Sequence, residues 1–217
     1  FFQRVTTSET IIEQCICYMN GPAYYDMRNH PRYQTDKAWF DQFATPRTVV
    51  DADGNTVTVS LDRYPNMGNG NGFKMGGNYS SHQIMVHHCL AVANTVKGFD
   101  QNNNDGAMRV YNNTGYLNGY DFGFTTKYGT LSIQNCLSYK SKNGNYTEAA
   151  NTVVDSYNSW NISGLTVSTS DFLSLDTTQI LAARQADGSL AEGTLLRLAA
   201  GSPLIDAGTD VGLTYTG

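Results

Sequence analysis

In this 217-residue chain, Lys74 is the residue whose setting most invites chemistry. It lies within Gly70-Asn71-Gly72-Phe73-Lys74-Met75-Gly76-Gly77-Asn78, where glycines on both sides open the backbone to a large ligand. A lysine amine, when neutral, is a general base, and carboxylates beside it can hold a cation or bind a sugar hydroxyl. Such partners recur at matched spacing. Tyr25-Asp26, Phe73-Lys74, Phe99-Asp100 and Phe124-Thr125 are separated by 48, 26 and 25 residues. On a strand the aromatic of each pair points inward and the next residue outward. Lys74 is therefore expected on an outer face with an acid about one repeat away on either side. This reads either as a salt-bridged surface ladder, which contributes little, or as a reactive site.

For those residues to share a face, the chain must repeat. A seven-residue pattern begins at Ile12, Val86, Val110 and Ile133, with a degenerate fifth copy at Val154. Its fourth position reads Cys15, Cys89, Asn113, Cys136, Tyr157; its sixth is small, its seventh aromatic or Val. Asn20, Asn94 and Asn118 follow the first three copies. A period near 24 residues carrying two registered columns predicts two strands per repeat joined by short turns. It leaves no room for a full helix per unit, and no leucine-rich skeleton is present. The expected fold is all-β, a parallel β-helix whose coils stack at the strand spacing of about 4.8 Å. The 48-residue gap reads as one coil with an insertion of about two dozen residues. Within it, Thr48-Val49-Val50 and Thr56-Val57-Thr58-Val59 flank an Asp-Gly turn as a hairpin.

Residues 1–217 read as one domain, and 170–217 as a C-terminal tail capping the last coil. Asp176–Arg184 is expected to be a short helix with Asp176 or a neighbouring Thr as N-cap. The first copy starts a dozen residues in, with no cap before it and no leader-like segment, so further coils are expected upstream.

Hydrophobic residues make 40%, charged residues 15%, and the net charge is −5. That balance weighs against nucleic-acid binding, and no apolar run approaches the roughly 18 residues of a membrane span. Low charge with 21 Gly and 14 Tyr suggests a turn-rich, secreted, carbohydrate-facing protein. The four cysteines are expected to be free thiols, mostly buried, because Cys15, Cys89 and Cys136 are each counted two coils apart, beyond disulfide reach. Asp100-Gln101-Asn102-Asn103-Asn104-Asp105-Gly106 has its glycine one place late for an EF-hand, and Tyr111 stands where the closing Glu belongs. Either it is an Asn-rich turn, or Asp100, Gln101 and Asn102 line the face beside Lys74 and touch sugar. His87 and His88 read as structural; Tyr120 and Lys127 are candidates for an extended subsite.

The glycine-rich Lys74 segment, followed by Lys97-Gly98-Phe99-Asp100-Gln101-Asn102-Asn103-Asn104, resembles polysaccharide lyase family 9 from about Cys15 to the Leu204-Ile205-Asp206-Ala207-Gly208 tail. The resemblance implies a right-handed β-helix and β-elimination from a uronate in acidic pectic polysaccharide, homogalacturonan or rhamnogalacturonan, with Lys74 as the base. It also implies Ca²⁺ held by an Asp-Asp-Gly-aromatic-Asp motif. Here that place reads Pro22-Ala23-Tyr24-Tyr25-Asp26, leaving Asp26 as the metal ligand, with a further family ligand expected upstream of residue 1. The substrate carboxylate must be neutralised before its α-proton becomes acidic, by Ca²⁺ or by an arginine such as Arg109 or Arg28. Asp100, Gln101, Asn102 and Arg109 are the expected substrate contacts. The expected protein is a bacterial, secreted, periplasmic or cell-surface monomer. Two other classes compete: a carbohydrate-binding β-helix without turnover, and a glycoside hydrolase, for which no close carboxylate pair is evident.

Overall fold

The structure, a computed structural model, describes residues 9–21, 24–29, 32–50, 56–65, 70–77, 79, 81–125, 129–147 and 151–213. Three complete coils form its centre, each with three strands where the periodicity predicted two. They are β8 (Ile84–His87), β9 (Leu90–Val92) and β10 (Lys97–Asp100); β11 (Met108–Tyr111), β12 (Thr114–Tyr116) and β13 (Tyr120–Gly123); then β14 (Leu131–Gln134), β15 (Leu137–Tyr139) and β16 (Gly144–Thr147). An interrupted coil precedes them, with β1 (Thr10–Glu13), β2 (Ile16–Tyr18) and, much later, β7 (Phe73–Lys74); β17 (Thr152–Ser156) follows. Every pairing between coils is parallel. The first sheet runs β1-β8-β11-β14-β17, the second β2-β9-β12-β15, and the third β7-β10-β13-β16.

The seven-residue pattern spans the first two sheets, and a bend at its third residue explains why it looked like one strand. Gln14, His88, Asn112 and Asn135, joined by Tyr157 once the fifth copy is shifted by one residue, all have φ between 51° and 57°. This left-handed conformation is rare for non-glycine residues, and it turns the chain from the first sheet into the second. A second left-handed column, Met19, Ala93, Leu117 and Lys140, turns it towards the third. Just beyond, Asn20, Asn94 and Asn118 form a ladder: the main-chain N–H and side-chain amide of each donate to the Oδ1 of the next. Asp121 ends it, its Oδ1 accepting from the Asn118 amide at 2.7 Å. The ladder supplies partners to turn groups that are otherwise buried without water.

The core repeats like on like. Ile84, Val86, Met108, Val110, Leu131 and Ile133 fill it from the first sheet. From the third, Phe73, Phe99 and Phe122 stack with ring centroids 4.9 Å apart, one strand spacing, and interplanar angles of 7° and 5°. The small sixth position faces inward, and a Cβ on Gly115 would lie 2.4 Å from that of Asp121. The seventh faces outward: Val92, Tyr116 and Tyr139 pack against Phe172, Leu175, Ile180, Leu195, Leu196 and Leu204 of the tail, which runs along the second sheet. Asp176 caps a 3₁₀ turn over Thr177–Leu181, accepting from the Thr178 N–H.

Five sequence expectations change. The chain leaves the first coil at Gly21 and returns at Gly70, so residues 22–69 are one excursion, about twice the expected insertion. Gly21 and Gly70 both have positive φ, and a Cβ on Gly21 would lie 2.3 Å from the Gly70 Cα, so exit and return close a narrow neck. Tyr25 belongs to this excursion, not to the third sheet: β3 (Tyr24–Tyr25) pairs antiparallel with β6 (Tyr64–Pro65). Phe122, not Phe124, stands on Phe99; both are buried and two residues apart, so alternation could not choose between them. In β17 the register shifts beside Leu131, so Asp155 pairs with Ile133 and the fourth-position column ends on Asn158. Finally, Cys15 and Cys89 occupy adjacent coils, since Ile16 pairs with Leu90; the excursion lengthens the sequence between them without adding a coil. All four cysteines are free, with Cys89 and Cys136 buried, Cys17 half-buried and Cys15 exposed.

The excursion carries its own small core of Met27, Phe40, Phe43 and Val59. It includes α1 (Lys37–Asp41) and the expected hairpin, β4 (Arg47–Val50) against β5 (Thr56–Val59).

Candidate active site

The outer face of the third sheet is a grid set by register. Asn71 and Lys74 lie on the first coil, Lys97 and Asp100 on the next, Tyr120 and Gly123 on the third. Phe73 anchors Lys74 by stacking inward on Phe99, and Lys74 itself is exposed.

Asp100 is the Cα partner of Lys74, and it is 4% exposed. Its carboxylate is fully engaged. Oδ1 accepts from Lys97 Nζ at 2.8 Å and from the Asn102 N–H at 3.1 Å, while Oδ2 accepts from Asn71 Nδ2 at 2.8 Å. The Lys97 stem reaches it by lying flat over Gly123, where a Cβ would lie 2.4 Å from Lys97 Cδ. The acid beside Lys74 is thus neutralised by a second ammonium, and its oxygens hold the face together. The expected acid–lysine–acid column is not formed: Asp26 lies in the excursion, bound to the Arg28 guanidinium at 2.6 and 2.8 Å. Those bonds hold its carboxyl below the usual range, chiefly through the hydrogen bond from Arg28.

Asn102 and Asn104 clamp the backbone just beyond Lys74, and Gln101 braces Asn104. Buried Gln101 donates to the Asn104 carbonyl, and Asn102 donates to the Gly76 carbonyl at 2.5 Å. Buried Asn104 donates to the carbonyls of Met75 and His82 and accepts from the N–H groups of His82 and Gly106. The glycines around Lys74 serve this packing. A Cβ on Gly76 would lie 2.6 Å from Asn104, and one on Gly72 would lie 2.5 Å from the Gly98 carbonyl. The openness expected of the glycine run is therefore filled by the next coil.

Arg109 is not brought to this face. It lies on β11 in the first sheet and pairs with Glu9, its Nε 2.9 Å from Oε1. Tyr120 pairs with Lys97 on the grid, and Lys127 lies outside the described residues. His88 is a corner residue, its ring nitrogen paired with that of His87 at 2.8 Å. Sequence reasoning missed Lys97, Asn71 and Gly123 as parts of the site. The signal was there in Asn71-Gly72-Phe73-Lys74, Lys97-Gly98-Phe99-Asp100 and Tyr120-Asp121-Phe122-Gly123, four-residue units sharing one phenylalanine.

Ca²⁺ needs six to eight oxygen ligands, several of them carboxylates. Among the described residues no three acidic, histidine or cysteine side chains converge, and Asp26 is already taken by Arg28. These residues do not fit a calcium site, and no chemical step is assigned to one here.

A right-handed parallel β-helix with an exposed lysine on one ridge defines the class. The family profile described as "Pel9A-like, right handed beta helix region" matches residues 35–151, and the chain belongs to that family. It is 37% identical over 199 residues to pectate lyase L of Dickeya dadantii (strain 3937), covering 86% of this chain and 45% of that protein. Pectate lyase L of Paenibacillus polymyxa (strain SC2) is 36% identical over 150 residues, covering 66% and 32%. The crystal structure of pectate lyase Pel9A superposes with a TM-score of 0.70 at 32% identity, over 96% of this chain and 43% of that one. The chain spans less than half the length of these relatives.

Proposed function

We propose that this chain carries the base-bearing face of a lyase that cleaves acidic pectic polysaccharide by β-elimination, with Lys74 as the base. The observation that carries this reading is an exposed lysine, fixed by stacked phenylalanines and a clamped glycine segment, in a chain of the pectate lyase L type. As a free amine, Lys74 would take the proton α to the uronate carboxylate. The electrons form the C4–C5 double bond, the O4-linked sugar leaves, and an unsaturated uronate remains. A positive charge neutralising that carboxylate is required for the proton to become acidic. Asn71, Lys97 and Asp100 act as a fixed floor beside Lys74, and Tyr120 extends it towards the next sugar. Homogalacturonan is the first substrate to test and rhamnogalacturonan the second. The protein is proposed to be a secreted or cell-surface monomer. A carbohydrate-binding chain without turnover is the second reading, favoured by the pairing of Asp26 with Arg28.

The test incubates the protein with polygalacturonate and, separately, rhamnogalacturonan, with calcium or with chelator, and follows the ultraviolet absorbance of unsaturated uronate. Lys74→Ala is expected to lower the rate by at least ~10²-fold with an unchanged circular dichroism spectrum. Equal rates for the variant and the wild type would remove Lys74 from the mechanism, and binding without absorbance change would favour the second reading.

A further inference from the structure

The corner between the first and second sheets carries the column Cys15, Cys89, Asn113, Cys136 and Asn158, whose members touch from coil to coil. Asn113 accepts from the Cys89 N–H at 3.0 Å and donates to the Val86 carbonyl one coil back. Asn158 repeats this with Cys136 and Ile133. The sulfurs face the other way along the column: Cys136 Sγ lies 3.5 Å from the Val110 carbonyl and Cys89 Sγ 3.6 Å from the Ile12 carbonyl, each one coil back. In three of the four steps the alternation of thiol and amide keeps sulfur from meeting sulfur. At the first rung both residues are cysteine. Leu90 N–H donates to the Cys15 carbonyl at 2.9 Å, which fixes the two corners one strand spacing apart, within the Cα range of a disulfide.

We infer that Cys15 and Cys89 are a redox-responsive pair, which closes as a disulfide to fasten the interrupted first coil to the complete coil above it. The order of events follows from exposure. Cys15 is exposed, whereas burial pushes the Cys89 thiol up to about 12. The Cys15 thiolate attacks a small-molecule disulfide such as oxidised glutathione, forming a mixed disulfide and releasing one thiol. Cys89 then attacks the Cys15 sulfur and releases the second. Two protein thiols are oxidised, one external disulfide is reduced, and the two protons end on the released thiols. The bond closes a loop holding the whole excursion and the Lys74 strand. Loops of this length gain most from such a cross-link.

The test uses the full chain, reduced and then incubated under native conditions with oxidised glutathione, followed by non-reducing peptide mapping and thermal melting. The expected result is a Cys15–Cys89 cross-linked peptide, two alkylatable thiols (Cys17 and Cys136), and a Tm raised by about 5 °C or more. Cys15→Ser should abolish the cross-link and the Tm rise, and Cys17→Ser should leave both. Four thiols still open to alkylation after unfolding, an adduct that stops as glutathione on Cys15, or a bond joining any other pair would each overturn the inference.

Discussion

Along the inner face of the third sheet Phe73, Phe99 and Phe122 repeat one residue type, whereas the neighbouring outer positions, Lys74, Asp100 and Gly123, are all different. The same strands and the same rise position both columns, so the contrast comes from what each face must satisfy. Inside, a coil presents its side chain directly to the one below, and flat rings at 4.9 Å are the packing that rise rewards. Outside, the rungs face away from the core, and no packing rule asks for repetition. A departure from repetition there is free to record chemistry, and Lys97, Asp100 and Asn71 show a connected polar floor around one exposed lysine.

The largest expected effect on stability breaks the inner column. Phe99→Ala removes the ring in contact with both Phe73 and Phe122, and should cost about 3–5 kcal/mol, read by urea denaturation. Lys74→Ala, one strand away and exposed, should stay within about 0.5 kcal/mol. Similar losses for the two variants would dissolve the distinction between faces.

Next comes Asp121, a polar residue on the inner side. Burial raises its carboxyl to about 6, despite bonds from Asn118, Ser138 and the Tyr139 N–H. A carboxyl whose pKa is higher folded than unfolded binds more protons in the native state between about 4 and 6. Its contribution is therefore complete below the unfolded pKa and is lost as pH rises through about 6. The loss should be about 2–3 kcal/mol. Asp121→Asn should flatten stability between pH 4 and 7, measured by denaturation at each pH; an unchanged slope would assign the dependence to other groups.

Asn94→Ala tests the ladder. The change strips acceptors from the Asn20 N–H and amide and donors from the Cys17 carbonyl and Asn118 Oδ1. About 2 kcal/mol is expected, with hydrogen exchange accelerated first at the second-to-third sheet corner.

The sequence showed the parts of this molecule that repeat. A period near 24 residues, small residues at one column and asparagines at another were enough to reach a β-helix, because stacking forces chemically equivalent residues into register. What it hid lay where the repeat is interrupted. Tyr25-Asp26 imitates the column from within the excursion, and the register shift in β17 moved Asn158 one place from where spacing put it. The surroundings of Lys74 were legible only in part. Asp100, Gln101 and Asn102 were found as neighbours, but sequence could not show that their polar atoms are directed into the fold.

Two glycines give the smallest and sharpest comparison. A Cβ at Gly115 would lie 2.4 Å from the Asp121 Cβ, and one at Gly123 would lie 2.4 Å from Lys97 Cδ. Overlap alone predicts the same cost for both alanine variants. The neighbours differ in freedom: Asp121 Cβ is held by a buried strand and a carboxylate with four bonds, whereas the Lys97 side chain is 23% exposed and can lift away. Gly115→Ala should therefore cost about 3 kcal/mol as an overpacked interior. Gly123→Ala should cost about 1 kcal/mol, the loss of one charged hydrogen bond on Asp100. Moving Lys97 off Asp100 also removes the counter-charge of the carboxylate beside Lys74, while the Gly123 variant should melt almost as the wild type does. Equal destabilisation by the two alanines would mean that the outer face is packed as tightly as the inner one.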